Sequence, residues 1–386
     1  MQTSRDRILT THCGSLPRPP QLSDMLLRQE AGERIDETTL HRECTSAVAN
    51  VLQSQIAAGI DIVSDCEQPR VGFSMYVPLR MEGFGGETQR PSPRDLDDFP
   101  LFKERLRQQR GRRNRIGNPP KATGEVRYVG LDAAQAEFDL FKGALAALPQ
   151  KPAEAFMTAA SPGIIATTMI NEYYDSYERY VFALARELRK EYEAIVKSGF
   201  LLQLDAPDFG LERGRMFKDK TDAEFLHAME LNMEAINRAT EGIPRENIRL
   251  HICWGNWEGP HTHDFPLAGL LPILYRAKVG ALSIEFANPR HQHEYEALRK
   301  NPLPPDMILI PGVIDTTTNF VEHPEVVANR ICEAARTVGD RSRVIAGTDC
   351  GFGTSAGSEA VSSDVVWAKL AACREGADIA TTRLWS

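Results

Sequence analysis

The segment HICWGNWEGPHTH, residues 251–263, gathers His251, His261, His263 and Cys253 beside Trp254, Trp257 and Glu258. Imidazole and thiolate are ligands for a borderline-soft divalent metal. His251 and Cys253 are one residue apart, so on an extended strand both side chains point to the same side and can share an ion. Glu285 ends the next apolar run, ALSIEF, and Cys350 follows the last one, RVIAGTD. On neighbouring strands, His251, Cys253, Glu285 and Cys350 make a metal-ligating set for which zinc is the best fit. Two thiolates and a carboxylate leave a dication electron-rich, a poor acidifier of water but a good holder of another sulfur. The implied chemistry is transfer of an alkyl group from a donor to a small thiol, activated as a zinc-bound thiolate. A zinc-dependent hydrolase or lyase is the alternative, and a non-catalytic zinc protein is a third reading.

Other polar residues also close apolar runs. Ser15, Glu67, Asp205 and Asp315 join the set above, so seven of eight candidate strands finish in a ligand-capable side chain. In a barrel these strand ends converge on one mouth, where Trp254 and Asp315 are candidate substrate contacts. Asp315 either meets substrate or caps the Thr-rich turn after it. Trp254 and Trp257 either wall an apolar pocket or anchor their loop. The pairs His261–His263 and His291–His293 follow their strands by several residues, which suits supporting or substrate roles better than ligation. Glu285, His291 and His263 are the candidate catalytic groups; His263, His291 or His323 could protonate a leaving alkoxide.

The elements that must position these residues are a βα series. Short apolar runs (AFMTAA, FLLQLD, IRLHIC, ALSIEF, MILIPGVID, RVIAGTD) alternate with amphipathic stretches, and RILTTHCG and DIVSDCE precede them. Tyr177, Val181, Leu184, Leu188, Tyr192 and Ile195 mark one apolar face at helical period, which stops at Gly199. Eight strand-and-helix units predict an α/β fold, a (β/α)8 TIM barrel over residues 1–386 as one domain, with active-site groups at the C-terminal strand ends. Residues 83–150 break the rhythm and predict a helical or irregular insertion after the second strand, over or beside the mouth. Its run LFKERLRQQRGRRNR is basic, a solvated helix face or, less economically, an anion-binding surface. The insertion suits either a lid or a homo-oligomer interface.

Composition limits the partners. A hydrophobic content of 42% with 25% charged residues is ordinary for a globular chain with a large core. A net charge of −8 gives no general attraction to nucleic acid or anionic membrane. No stretch reads as a spanning helix or signal peptide, and seven cysteines, an odd number, read as thiols; the expected location is cytoplasmic.

The motifs GSLPRP (14–19), DCEQPR (65–70), LQLDAPD (202–208), HIC (251–253), IEFANPR (284–290) and TDCGFGT (348–354) together resemble the catalytic barrel of cobalamin-independent methionine synthase. They also resemble its single-barrel relatives, which include epoxyalkane:coenzyme M transferase. The resemblance implies that His251, Cys253, Glu285 and Cys350 hold zinc, that Glu67 and Asp205 hold the amino group of a homocysteine-like thiol, and that Ser15 lies at its carboxylate. Two features depart from the two-barrel synthases: the length leaves no room for a second, folate-binding barrel, and the WGNWEGPHTHDFP loop looks more like the single-barrel group, whose members can use other electrophiles.

Overall fold

A computed structural model describes residues 1–109 and 118–386. Arg110, Arg112, Arg113 and Arg115 of the basic run lie outside the described residues.

Among the described residues there are ten strands: β1 (Leu9–Thr10), β2 (Ile62–Ser64), β3 (Met81–Gly85), β4 (Lys121–Tyr128), β5 (Glu154–Ala160), β6 (Leu201–Asp205), β7 (Ile248–Ile252), β8 (Ala281–Ile284), β9 (Ile308–Ile314) and β10 (Ile345–Thr348). Eight of them pair in parallel in the order β1-β10-β9-β8-β7-β6-β5-β2. The seam between β1 and β2 is closed by Asp61 N donating to Thr10 O at 3.1 Å and Thr11 Oγ1 donating to Ile62 O at 3.1 Å. The result is a nearly closed (β/α)8 barrel, and its strands are those read from the sequence.

Both faces of the barrel wall are covered, so the strands are mostly buried and mostly apolar rather than alternating, with a few buried polar residues such as Gln203, Arg249 and His251. Outside, helices pack on the sheet. The helix Tyr177–Lys197 buries Val181, Leu184, Leu188, Tyr192 and Ile195, starts on the Ser176 cap and ends before Gly199, whose φ of 91° is left-handed. Tyr192 Oη donates to Ala160 O at 2.6 Å, tying that helix to the end of β5. Inside, Leu9, Ile62, Phe156, Leu201, Ala281, Ile308, Ile310 and Ile345 form a separate apolar plug. Above the plug lies a polar layer. The Arg249 guanidinium sits 4.2 Å over the Phe156 ring and donates to Thr11 Oγ1 and His12 O, and the His12 ring stacks obliquely on Phe156.

The segment after β2 is richer than the predicted excursion. It adds an antiparallel β3–β4 hairpin, and its last helix, Leu131–Ala147, packs on the helix Glu37–Ala57 and returns the chain to β5 as an ordinary barrel helix. Between the hairpin strands the chain runs beside the mouth and is fastened to the loops after β6 and β7. Asp95 Oδ1 accepts from Thr262 N and Oγ1, both at 2.7 Å; Arg90 pairs with buried Glu212; Lys218 Nζ donates to Ser92 O at 3.2 Å; and Phe102 lies 6.0 Å from Trp257. The described part of the basic run is exposed and paired within its own neighbourhood, Lys103 with Asp97 and Arg107 with Glu104. Among the described residues no helix is long and apolar enough to cross a membrane, and all seven cysteines are free.

Asp95→Ala removes two hydrogen bonds of this latch without touching the barrel wall. Limited proteolysis within residues 94–109 is expected to accelerate by roughly fivefold or more, for a net loss of about 1–2 kcal/mol in local opening. An unchanged cleavage rate would show that the latch does not hold the segment.

Candidate metal and substrate site

The strand ends converge as expected of a barrel mouth. His251, on β7, lies between Asp205 of β6 and Ser283 of β8 in the parallel register. Cys253 is one residue past β7, Glu285 one past β8 and Cys350 two past β10. His251, Cys253 and Cys350 are buried, and each offers a ligand atom within 4.8 Å of the others; they are the one such group among the described residues. Nδ1 of His251 lies 3.5 Å from Cys13 Sγ, while its Nε2 is buried with no hydrogen-bond partner. An orphaned imidazole nitrogen beside two thiols is a costly arrangement that a soft cation would satisfy, so these residues fit a metal. Burial, with Asp349 and Cys350 nearby, pushes Glu285 well above the ordinary carboxylate range. Glu285 is outside the 4.8 Å group but faces it, with Oε2 accepting from Asn288 Nδ2 at 3.1 Å.

Asp349 builds the turn that presents Glu285. Its Oδ1 accepts from Phe286 N and Ala287 N at 2.9 and 2.8 Å, and its Oδ2 from Asn288 N at 2.8 Å. A Cβ at position 312 would stand 2.0 Å from Asp349 Oδ1, so Gly312 makes this approach. Likewise a Cβ at position 351 would stand 2.1 Å from Ser15 Oγ, which explains the glycine of TDCGFGT beside Ser15.

Glu67 stands in a strained turn. Cys66 and Glu67 have φ of 58° and 57°, left-handed values that cost non-glycine residues roughly 1–3 kcal/mol each. The turn is held by Ser64 Oγ and Asp65 Oδ1 accepting from Cys66 N and Glu67 N, and by Arg18 Nη2 donating to Glu67 O at 2.8 Å. It aims the carboxylate inward: Oε1 accepts from Thr158 Oγ1 at 2.9 Å, and the buried Oε2 has no hydrogen-bond partner, with Arg18 Nη2 3.9 Å away. Asp205 Oδ1 accepts from Gln203 Nε2 at 2.7 Å. Burial raises the pKa of both acids, and the charge of Asp205 adds to the rise of Glu67. Two buried carboxylates near enough for the charge of one to act on the other, with one oxygen outside any hydrogen bond, offer a seat for a cationic group.

The other sequence candidates have different partners. Trp254 is 1% exposed and donates from Nε1 to Phe265 O at 2.8 Å, an anchor for its loop. His291 stacks on it at 3.9 Å and bonds through Nε2 to Asp264 Oδ2 at 2.9 Å; His261 bonds to the same oxygen. His263 pairs with Asp98 of the excursion, and His323 caps the helix Pro324–Val338. Asp315 spends both oxygens on the Thr-rich turn, accepting from Thr317 N and Oγ1 and from Thr318 Oγ1. Thr158 lies outside the motifs quoted above, and Gln203, Asp264 and Asp349 lie inside LQLDAPD, WGNWEGPHTHDFP and TDCGFGT without having been singled out as site residues. Cys13 left a signal, a cysteine near the end of the run RILTTHCG, three residues past β1 and just before Gly14-Ser15.

Comparison with known proteins fits this geometry. Residues 150–372 match the family described as the catalytic domain of cobalamin-independent synthase, and the chain belongs to that family. Methionine synthase of Thermococcus kodakarensis is 26% identical, with 89% of this chain and 86% of the relative covered. That of Sulfurisphaera tokodaii is 25% identical, with 83% and 79% covered. The B12-independent methionine synthase of Shewanella sp. W3-18-1, solved in complex with selenomethionine, shares the fold at a TM-score of 0.71, 22% identity and coverage of 98% and 99%.

His12 yields a pH prediction. Its Nε2 bonds to Gln55 Oε1 at 2.8 Å and its Nδ1 accepts from Gly14 N at 3.1 Å, so the buried ring is neutral. Burial, with Arg249 nearby, pushes its pKa down from 6.5 to about 4. A depressed folded pKa contributes stability that is complete above pH 6.5 and is lost as pH falls through about 4. Urea midpoints of wild type and His12→Asn are expected to converge on acidification from neutral pH to below 5, the wild type losing about 2 kcal/mol more than the variant. Parallel losses would remove His12 as the cause.

Proposed function

We propose that this chain is a zinc-dependent methyltransferase that places a methyl group on the sulfur of homocysteine. The observation that carries the reading is the convergence at one mouth of two sites, the His251–Cys253–Cys350 cluster and the buried Glu67–Asp205 pair, with Asp205 and His251 adjacent in register. Names given to the relatives agree with it: the archaeal proteins are methionine synthases, matched over most of their length.

His251, Cys253, Cys350 and Glu285 would hold the ion. Bound zinc would lower the pKa of the acceptor thiol and keep its sulfur nucleophilic at neutral pH. The chain's own residues do the positioning. Glu67 and Asp205 receive the ammonium group, a charge-assisted contact that is stronger in this dry pocket than in water. Thr158 and Gln203 fix the two carboxylates in direction, and Ser15 lies where the substrate carboxylate would extend. Holding the sulfur in one place against an incoming methyl donor converts a bimolecular encounter into an oriented one.

An epoxide-opening transferase that uses coenzyme M is the second reading, favoured by the Trp- and His-rich loop after β7. Coenzyme M has no amino group, and a paired-carboxylate seat would oppose its sulfonate. Water as nucleophile is disfavoured by the two thiols.

Purified protein is expected to carry about one zinc per chain, and Cys253→Ser and Cys350→Ser to lose most of it. Titration calorimetry should show homocysteine binding at least roughly tenfold tighter than coenzyme M, a preference that Glu67→Gln or Asp205→Asn abolishes. Tighter binding of coenzyme M would replace the methionine-synthase reading with the second one.

A further inference from the structure

Cys13 lies inside the barrel, 4% exposed, at a crossing of five strands. Its backbone N–H donates to Thr348 Oγ1 at 3.1 Å, and its carbonyl accepts from Gln203 Nε2 at 2.9 Å. Its sulfur is 3.0 Å from Thr348 O, 3.5 Å from Ser283 Oγ and 3.5 Å from His251 Nδ1. These contacts reach from β1 to residues of β6, β7, β8 and β10.

A carbonyl oxygen only accepts, so the short contact to Thr348 O commits the single S–H proton there. The sulfur then presents lone pairs to Ser283 and to His251, and the Nδ1 that faces it must carry the imidazole proton. The orphaned Nε2 of His251 is left as the unprotonated nitrogen. Histidine ligands ordinarily place their second N–H on a carboxylate, a backbone carbonyl or water. Here a thiol occupies that position. Cys13 is also not in the group of residues whose ligand atoms lie within 4.8 Å of one another.

We infer that Cys13 is a positioning residue for the metal centre, whose sulfur accepts from His251 Nδ1–H and so sets the tautomer and orientation in which Nε2 ligates. The inference rests on the zinc reading above. It concerns metal affinity, not the chemistry of methyl transfer.

The test uses the full chain. Zinc affinity is measured by competition with a chromophoric chelator for wild type, Cys13→Ser and Cys13→Val, and the cobalt(II)-loaded forms are compared by their thiolate-to-metal charge-transfer absorption. Cys13→Val is expected to weaken zinc binding by about 10–100-fold and Cys13→Ser by less, while both keep the wild-type charge-transfer intensity. Unchanged affinity in Cys13→Val overturns the inference. So does loss of one thiolate's intensity, which would make Cys13 a ligand. If the valine variant does not fold, nitrogen NMR of histidine-labelled, zinc-loaded wild type decides: a protonated His251 Nδ1 supports the inference and a protonated Nε2 overturns it. Wild-type protein that takes up no zinc overturns the metal reading itself, a result distinguishable from failure of this inference alone.

Discussion

Parallel registry across β6, β7 and β8 is the constraint on which the rest of the site depends. It places Asp205 opposite His251 and His251 opposite Ser283. Neighbouring parallel strands stand about 4.8 Å apart, so the three strand ends deliver their side chains to one small volume without any loop having to search for them. A slip of one residue would turn His251 into the helical shell and bring an aliphatic side chain to the mouth. The burial of these strands and their largely aliphatic make-up are therefore also what guards the placement of their polar residues.

Around that registry the structure accepts several unfavourable local states. Cys66 and Glu67 occupy left-handed backbone, Glu67 Oε2 and His251 Nε2 are buried without hydrogen-bond partners, and burial with the charge of Asp205 raises the pKa of Glu67. Each costs stability. The surroundings over-determine them: Arg18 and Asp65 hold the turn, Thr158 and Gln203 hold the carboxylates, and Asp349 holds the Glu285 turn. Unmet polar groups gathered in one place and braced on every side point to binding.

Much of this was legible before any coordinates, for identifiable reasons. All eight barrel strands fall on short, largely apolar runs set apart by amphipathic stretches, and His251-x-Cys253 shares one side of a strand by simple alternation. The β3–β4 hairpin was not legible: Met81–Gly85 is rich in glycine, and Lys121–Tyr128 buries only Ala122, Val126 and Tyr128 among charged neighbours. For Trp254 the sequence left a pocket wall and a loop anchor both open; in the fold it anchors the loop after β7, with His291 stacked on it. Asp315 belongs to the same class, a carboxylate whose reach to its own turn outcompetes the mouth. Supporting residues such as Thr158 and Asp349 become visible once the strands are side by side.

The apolar plug at the bottom of the barrel and the reactive groups at the top are held by different atoms, with Arg249 and His12 forming a partition between them. Substitutions at the mouth can therefore accumulate without eroding the part that keeps the barrel shut. A lineage built this way can explore new donors and acceptors while its scaffold is inherited intact, and the shared fold at 22% identity is what such a history would leave behind.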